Sequence, residues 1–255
     1  MMNAPPPLAT FFSWALLVLI ASLPRLAAAE SEEEALLPYE ASYRATLEKG
    51  IPFNGSATRS LALQDDGSWL YTFKVESFIA DITETSRLNW IEGQAKPSTY
   101  RYALEGMMIR DRTRSINLNW ADQRATGHYE DRDIDLSVPA TAQDPLSYQL
   151  QLQQDIRLGK QTMHYQVIDK NRIEEDTFAV LGEETLNGEF GSVNAIKVEK
   201  VRDEEAKRTT LMWFAPEWDY LLVRLLQIEK DGTRYEIHLE SARVNGEPIQ
   251  LPPKS

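Results

Sequence analysis

From Tyr39 onward the chain is governed by a period of two. Tyr39, Ala41, Tyr43, Ala45 and Leu47 alternate with Glu40, Ser42, Arg44 and Thr46. Successive side chains of a strand leave on opposite faces, so this pattern describes a strand with one buried face. The alternation returns in Trp69-Tyr71-Phe73-Val75, in Tyr100-Tyr102-Leu104 and in Ile116-Leu118-Trp120. It continues in Met163-Tyr165-Val167, in Leu222-Leu226-Ile228 and in Tyr235-Ile237-Leu239. Asn54-Gly55, Asp66-Gly67, Asn187-Gly188, Asp231-Gly232 and Asn245-Gly246 supply dipeptides that tolerate positive φ in tight hairpin turns. Asn54-Gly55-Ser56 also spells a glycosylation sequon; it is read as a turn.

One segment breaks the pattern. Asp144-Pro145 offers a helix N-cap followed by proline at the first helical position, and Gly159 offers a stop. Between them Leu146 and Leu150, and Tyr148 and Leu152, are spaced by four, although the same residues also alternate. The glutamines and the cap favour helix. The expected fold is therefore mainly β: a single strongly curved antiparallel sheet or open barrel with about one short helix. Neither an internal repeat nor an interdomain linker is visible, so residues 38–251 are expected to form one domain.

The N-terminal segment has a different character. Phe11 to Leu23 is an apolar run of signal-peptide length, shorter than the roughly twenty residues a spanning helix needs. Pro24 ends it, and Ala27-Ala28-Ala29 gives the small-residue pattern of a cleavage site, placed after Ala29. Met1 to Thr10 contains no Lys or Arg, which departs from the usual leader, and an uncleaved membrane anchor is the alternative. Residues 30–37, opening with the Glu-rich stretch Glu30 to Glu34, read as an acidic linker. Cleavage would remove one charged side chain, Arg25, and move the formal charge from −12 to −13. Such acidity argues against a nucleic-acid partner. The chain has no cysteine, so it has neither disulfides nor the modified cysteine of a lipoprotein, and no stable membrane anchor is expected after cleavage.

Few residues point to chemistry. No serine sits in a Gly-x-Ser-x-Gly elbow, and His128, His164 and His238 lack metal-ligand spacing, so neither cofactor nor metal is expected. His164 and His238 fall on polar positions of their strands and should face solvent. Asp203-Glu204-Glu205 reads as a hairpin tip, and Arg110, Arg112 and Arg114 as cross-strand partners for acids, with an anionic ligand as the other possibility. Glu183, Glu184, Glu217 and Asp219 are the acids available for paired-carboxylate catalysis. The most distinctive segment is Trp213-Phe214-Ala215-Pro216-Glu217-Trp218-Asp219-Tyr220. Its aromatics can plug a barrel end, or Trp213, Phe214, Trp218 and Tyr220 can form the rim of a ligand site. Trp213 continues the run Thr209-Leu211-Trp213 and should point into the core, leaving Trp218 the more exposed of the pair.

Several stretches occur together in one order: Pro38-Tyr39-Glu40 with Tyr43-Arg44, Asp144 to Leu150, Gly182-Glu183-Glu184 with Gly191, Trp213 to Glu217, Asp219-Tyr220-Leu221, Val223-Arg224, and Asp231-Gly232. In these the chain resembles the exported bacterial proteins of domain of unknown function 3108 over most of residues 38–244. It departs at Leu222, where the family pattern leads us to expect proline. The resemblance implies a β-rich, barrel-like exported domain without an established activity, and no catalytic residue carries over from it; the leader-like segment leads us to expect a Gram-negative periplasm. The expected function is a periplasmic, non-catalytic binding or accessory protein of the cell envelope, holding an apolar small molecule inside the curved sheet or pairing with an envelope protein. The alternative is an enzyme acting on envelope polysaccharide.

Overall fold

The computed structural model describes residues 36–49, 51–78, 80–107, 110–188, 191–202, 206 and 208–250. The expected leader, its cleavage site, the stretch Glu30 to Glu34 and the tip Asp203-Glu204-Glu205 lie outside these residues. Leu36, counted with the linker from sequence, is buried at 4% exposure.

Alternation in the sequence becomes strands along nearly the whole described chain. They are β1 (Tyr39–Lys49), β2 (Ile51–Leu63), β3 (Trp69–Ser77), β4 (Ala80–Ile91), β5 (Gln94–Gly106), β6 (Arg112–Asn119), β7 (Arg124–Tyr129) and β8 (Arg132–Ser137). A two-residue β9 (Ala142–Gln143) leads into α1 (Ser147–Arg157). Then follow β10 (Thr162–Asp169), β11 (Arg172–Gly188), β12 (Gly191–Val201), β13 (Thr209–Ala215), β14 (Leu221–Ile228), β15 (Arg234–Val244) and β16 (Glu247–Pro248).

All of them join one sheet in the order β8-β7-β6-β5-β4-β3-β2-β1-β15-β14-β13-β12-β11-β10-β9, with β16 beside β15. Every ladder is antiparallel except the short β9–β10 pair. The chain thus starts in mid-sheet, meanders outward to β8, crosses over through α1, and meanders back until β15 pairs with β1. Among the described residues no ladder joins β8 to the other edge. Side chains cross the gap instead: Arg114 on β6 pairs with Asp169 on β10 at 3.2 Å, and the Asn171 side-chain oxygen accepts the Asp135 N–H at 3.2 Å. The sheet is a strongly curved open barrel.

Turn chemistry explains most connections. Gly67 and Gly232 sit at φ 79° and 81° in the β2–β3 and β14–β15 hairpins, and Asn245-Gly246 turns β15 into β16 with φ 51° and 82°. Asn54-Gly55 does not turn. It lies inside β2, where a Cβ on Gly55 would come within 2.5 Å of the Glu76 carbonyl oxygen on β3. Glycine there serves close approach of two backbones rather than a change of direction.

The helix forms where its signals stand. Asp144 Oδ1 accepts the N–H groups of Leu146 (2.8 Å) and Ser147 (2.7 Å). At the other end Gly159, at φ 77°, donates to Ile156 O (2.9 Å) while Lys160 N–H reaches Asp155 O (3.0 Å), a Schellman closure. Leu150, Leu152 and Ile156 are buried, but so are Gln151, Gln153 and Gln154. Buried amides need partners. Gln151 accepts from Ala95 N–H (2.8 Å) and donates to Gly93 O (3.1 Å), and Gln153 donates to Asp219 O (2.9 Å). These glutamines fasten α1 to β5 and to the turn beyond β13.

Candidate ligand cavity inside the curved sheet

Register decides which side chains face inward. Ala45 on β1 pairs with Gly55 on β2, Gly55 with Ser77 on β3, and Arg59 with Phe73. Phe73 then pairs with Glu84 on β4, Glu84 with Tyr102 on β5, and Tyr102 with Arg114 on β6. Residues directly opposite share a face, so one interior level carries Arg59, Phe73, Glu84, Tyr102 and Arg114 side by side. On the returning half, Met212 pairs with Leu225 and Leu225 with Ile237.

These inward sets enclose a cavity of about 560 Å³. Its wall includes Ala45, Leu47, Phe73, Val75, Ile82, Leu104, Met212, Leu225 and Ile237, with Tyr148 and Gln149 of α1. The size falls within the roughly 300–1,000 Å³ of small-molecule sites, and the lining is mainly apolar, as such sites usually are. Five apolar residues, Leu47, Val75, Ile82, Leu104 and Tyr235, stand near the strand ends that meet the β1–β2, β3–β4, β5–β6 and β14–β15 connections. At two of those connections Phe78 is 87% and Met107 81% exposed.

Polar side chains share the wall, among them Thr46, Asn54, Arg59, Glu84, Gln227 and Glu236. Arg59 is 4% exposed; its Nη1 donates to Tyr71 Oη (2.8 Å) and its guanidinium carbon lies 4.6 Å from the centre of the Phe73 ring. Burial pushes the Glu84 carboxyl up to about 7, against the opposing pull of Arg59. Beyond it, Asp144 is fully buried and its carboxyl is pushed up to about 6 by desolvation, although Ser86 Oγ donates to it at 2.5 Å. Arg114, the other interior cation, pairs with Asp169 at 3.2 Å and lies 4.9 Å from the centre of the Tyr129 ring, although its Nε, like that of Arg59, is buried without a hydrogen-bond partner.

The aromatic segment singled out from sequence lies elsewhere. Trp213, Phe214 and Trp218 are buried at 2%, 3% and 7%, Tyr220 is half-buried, and none of the four lines the cavity. Trp213 does not join the cavity face. Its neighbours Thr210 and Met212 do, so alternation sends the indole to the other side of the sheet. There its Nε1 donates to Glu184 Oε2 (3.2 Å), with Arg224 and Lys197 at 4.4 and 5.3 Å from the ring. Trp218 is the more exposed of the two tryptophans, as expected, but is itself buried.

The remaining candidates are either exposed or held in ion pairs. Glu183 and Glu217 are exposed. Glu184 is bound by Lys197 (3.0 Å), which together with the Trp213 indole lowers its pKa, and Asp219 pairs with Arg157 (2.9 Å). None of these acids lines the cavity. Arg110, Arg112 and Arg114 each meet an acid: Asp131, Glu130 and Asp169. His128 and His164 are exposed, while His238 is half-buried against Glu236 at 3.0 Å. Arg59 and Glu84 went unnoticed in the sequence. Their signal was a charge on the apolar register, in Ala57-Arg59-Leu61 and in Ile82-Glu84-Leu88.

The model of the family described as protein of unknown function (DUF3108) matches residues 39–240. No curated protein matches the chain. Among solved structures, a beta-barrel-like protein of domain of unknown function DUF1849 from Brucella abortus is 12% identical, with 82% of this chain and 98% of that one covered at a TM-score of 0.55. At that identity the likeness is one of fold. A DUF1329 family protein from Desulfovibrio piger is 10% identical, with 83% and 87% covered at a TM-score of 0.24. A putative outer membrane lipoprotein-sorting protein domain from Vibrio parahaemolyticus is 11% identical, with 83% and 86% covered at 0.23. The last two superpose too weakly to carry an argument.

Proposed function

The chain belongs to the DUF3108 family, whose description assigns no activity, so we propose its function from the interior of the sheet: an exported, non-catalytic protein of the Gram-negative envelope that holds an apolar molecule inside its open barrel. The observation that carries this reading is the cavity of about 560 Å³ bounded by Val75, Ile82, Leu104, Leu225 and Ile237. An apolar surface of this kind gains by leaving water, at roughly 25 cal/mol per Å². Export rests on the leader-like run Phe11 to Leu23 and the alanines before Glu30. The absence of cysteine leaves the exported chain without a lipid attachment site.

Titration with the apolar fluorophore N-phenyl-1-naphthylamine tests the cavity, using the chain expressed with residues 1–29 in place and purified without detergent. Saturable enhancement is expected, and Val75→Trp, which fills the cavity from β3, should weaken it by about tenfold or more. Absence of saturable binding, or equal binding by a folded Val75→Trp variant, would overturn the reading. Export is checked separately by N-terminal sequencing. The purified protein should begin at Glu30; a chain intact from Met1 or Met2 in a membrane fraction would contradict it.

A further inference from the structure

Among the described residues that line the cavity, Arg59 is the one cation. Its strand neighbours are Ala41 on β1 and Phe73 on β3, and its own inward neighbours are Ala57 and Leu61. The side chain is almost wholly buried, yet it forms part of the cavity wall. Guanidinium stays charged at any physiological pH and carries five N–H donors. One hydrogen bond, to the neutral Tyr71 hydroxyl, uses one of them, and Nε is buried without a partner. Among the described residues Arg59 enters no ion pair; Arg114, at the same level of the sheet, has Asp169. Glu84 shares the interior but stands on the far side of Phe73. A buried cation that no carboxylate pairs with directly is unfavourable in a core, and this one borders space that a ligand can enter. Glu84, an acid of the same wall, feels its pull but is kept protonated up to about pH 7 by burial.

We propose that Arg59 receives the negatively charged end of the occupant, so that the cavity's ligand is a single apolar chain ending in an anionic headgroup. This rests on the cavity reading above and specifies its ligand class. The chain lies against Val75, Ile82, Leu104 and Ile237. A carboxylate or phosphate at its end accepts from the guanidinium in the charge-assisted, often bidentate geometry that arginine favours. Tyr71 Oη, which accepts from Tyr39 Oη at 3.3 Å, also accepts from the guanidinium and anchors it.

Displacement of a bound naphthylamine probe by oleate, by oleyl alcohol and by inorganic phosphate alone tests the proposal on the wild-type chain. Oleate should displace about tenfold better than the alcohol, because a charge-assisted hydrogen bond is made only by the anion. Phosphate alone should not displace. Arg59→Gln should abolish the preference by weakening oleate and sparing the alcohol, and Arg59→Lys should keep part of it. Equal displacement by oleate and alcohol in the wild type would refute the anionic headgroup while leaving the cavity reading intact. Displacement by phosphate at the concentration effective for oleate would refute the requirement for a chain. Failure of both chains to displace a saturably bound probe would refute this proposal, and failure of the probe itself to bind would refute the cavity reading.

Discussion

Glu84 and Arg59 face the same interior from either side of the Phe73 ring, and their charges respond to burial in different ways. Arginine cannot shed its proton, whereas the Glu84 carboxyl escapes much of the desolvation penalty by staying protonated up to about pH 7, from an ordinary value of 4.5. Around it stand Arg59, Arg114, Asp144, Tyr100 and Tyr102, so the field it feels is mixed in sign. A carboxyl whose pKa is raised on folding holds more protons folded than unfolded, so stability is lost as pH rises from about 4.5 to about 7. Glu84→Gln should therefore stabilise the protein above pH 7, by up to about 3 kcal/mol, with the gain fading towards pH 5. Thermal melts across that range check this, and parallel curves for the two proteins would contradict it. Trp213 gives a second prediction of this kind. It is 2% exposed, between two cations and Glu184. Trp213→Ala should cost about 3–5 kcal/mol, as buried aromatics do, and leave probe binding unchanged because the indole is not in the cavity wall. Loss of binding in a folded variant would place the aromatic segment in the site after all.

In the first half β1, β3, β5 and β6 were legible because only one of their two faces is apolar, whereas β2, β4, β7 and β8 carried no such clear run. Trp69-Tyr71-Phe73-Val75 and Tyr100-Tyr102-Leu104 contain the same residues that face the interior in the structure. In β13 and β14 that contrast fails. Met212 and Phe214 on one register and Leu211 and Trp213 on the other are all apolar, so alternation could not say which set looks inward. A bulge adds to the ambiguity, since Phe214 pairs with Leu222 and Trp213 with Arg224, leaving Val223 extra. Leu222, the departure from the family pattern, lies at this bulge, and its carbonyl accepts from Tyr43 Oη at 2.9 Å. Asn54-Gly55 was misread for another reason. A dipeptide that permits a turn does not require one, and the close approach of β3 that explains Gly55 is a tertiary fact. Gly55→Ala should push β2 and β3 apart locally and lower the melting midpoint. Amide exchange should quicken in Ser56 to Arg59 and Thr72 to Glu76 before it does in β6–β8. Unchanged protection there would mean that the β2–β3 contact has room to spare.

At the level of the whole molecule, an unclosed sheet and a buried helix together make a receptacle. Full closure would leave an eight-stranded or larger barrel free to hold a ligand only through its mouths. Here the meander stops at β8 and at β9, with side chains such as Arg114 and Asp169 spanning the break. Helix α1, fixed by its glutamines, contributes Tyr148 and Gln149 to the cavity wall. The cavity was not readable from single residues, because it exists only once strands far apart in sequence, such as β2 and β14, face one another. The most direct measurement of the central claim is methyl NMR of the isotope-labelled protein with a stearate carrying a nitroxide on its chain. The account predicts broadening of the methyls of Val75, Ile82, Leu104, Leu225 and Ile237, with Leu211 and Leu226 on the opposite face little affected. Broadening confined to Leu211, Leu226 or the exposed hairpin tips, with the interior methyls sharp, would contradict it.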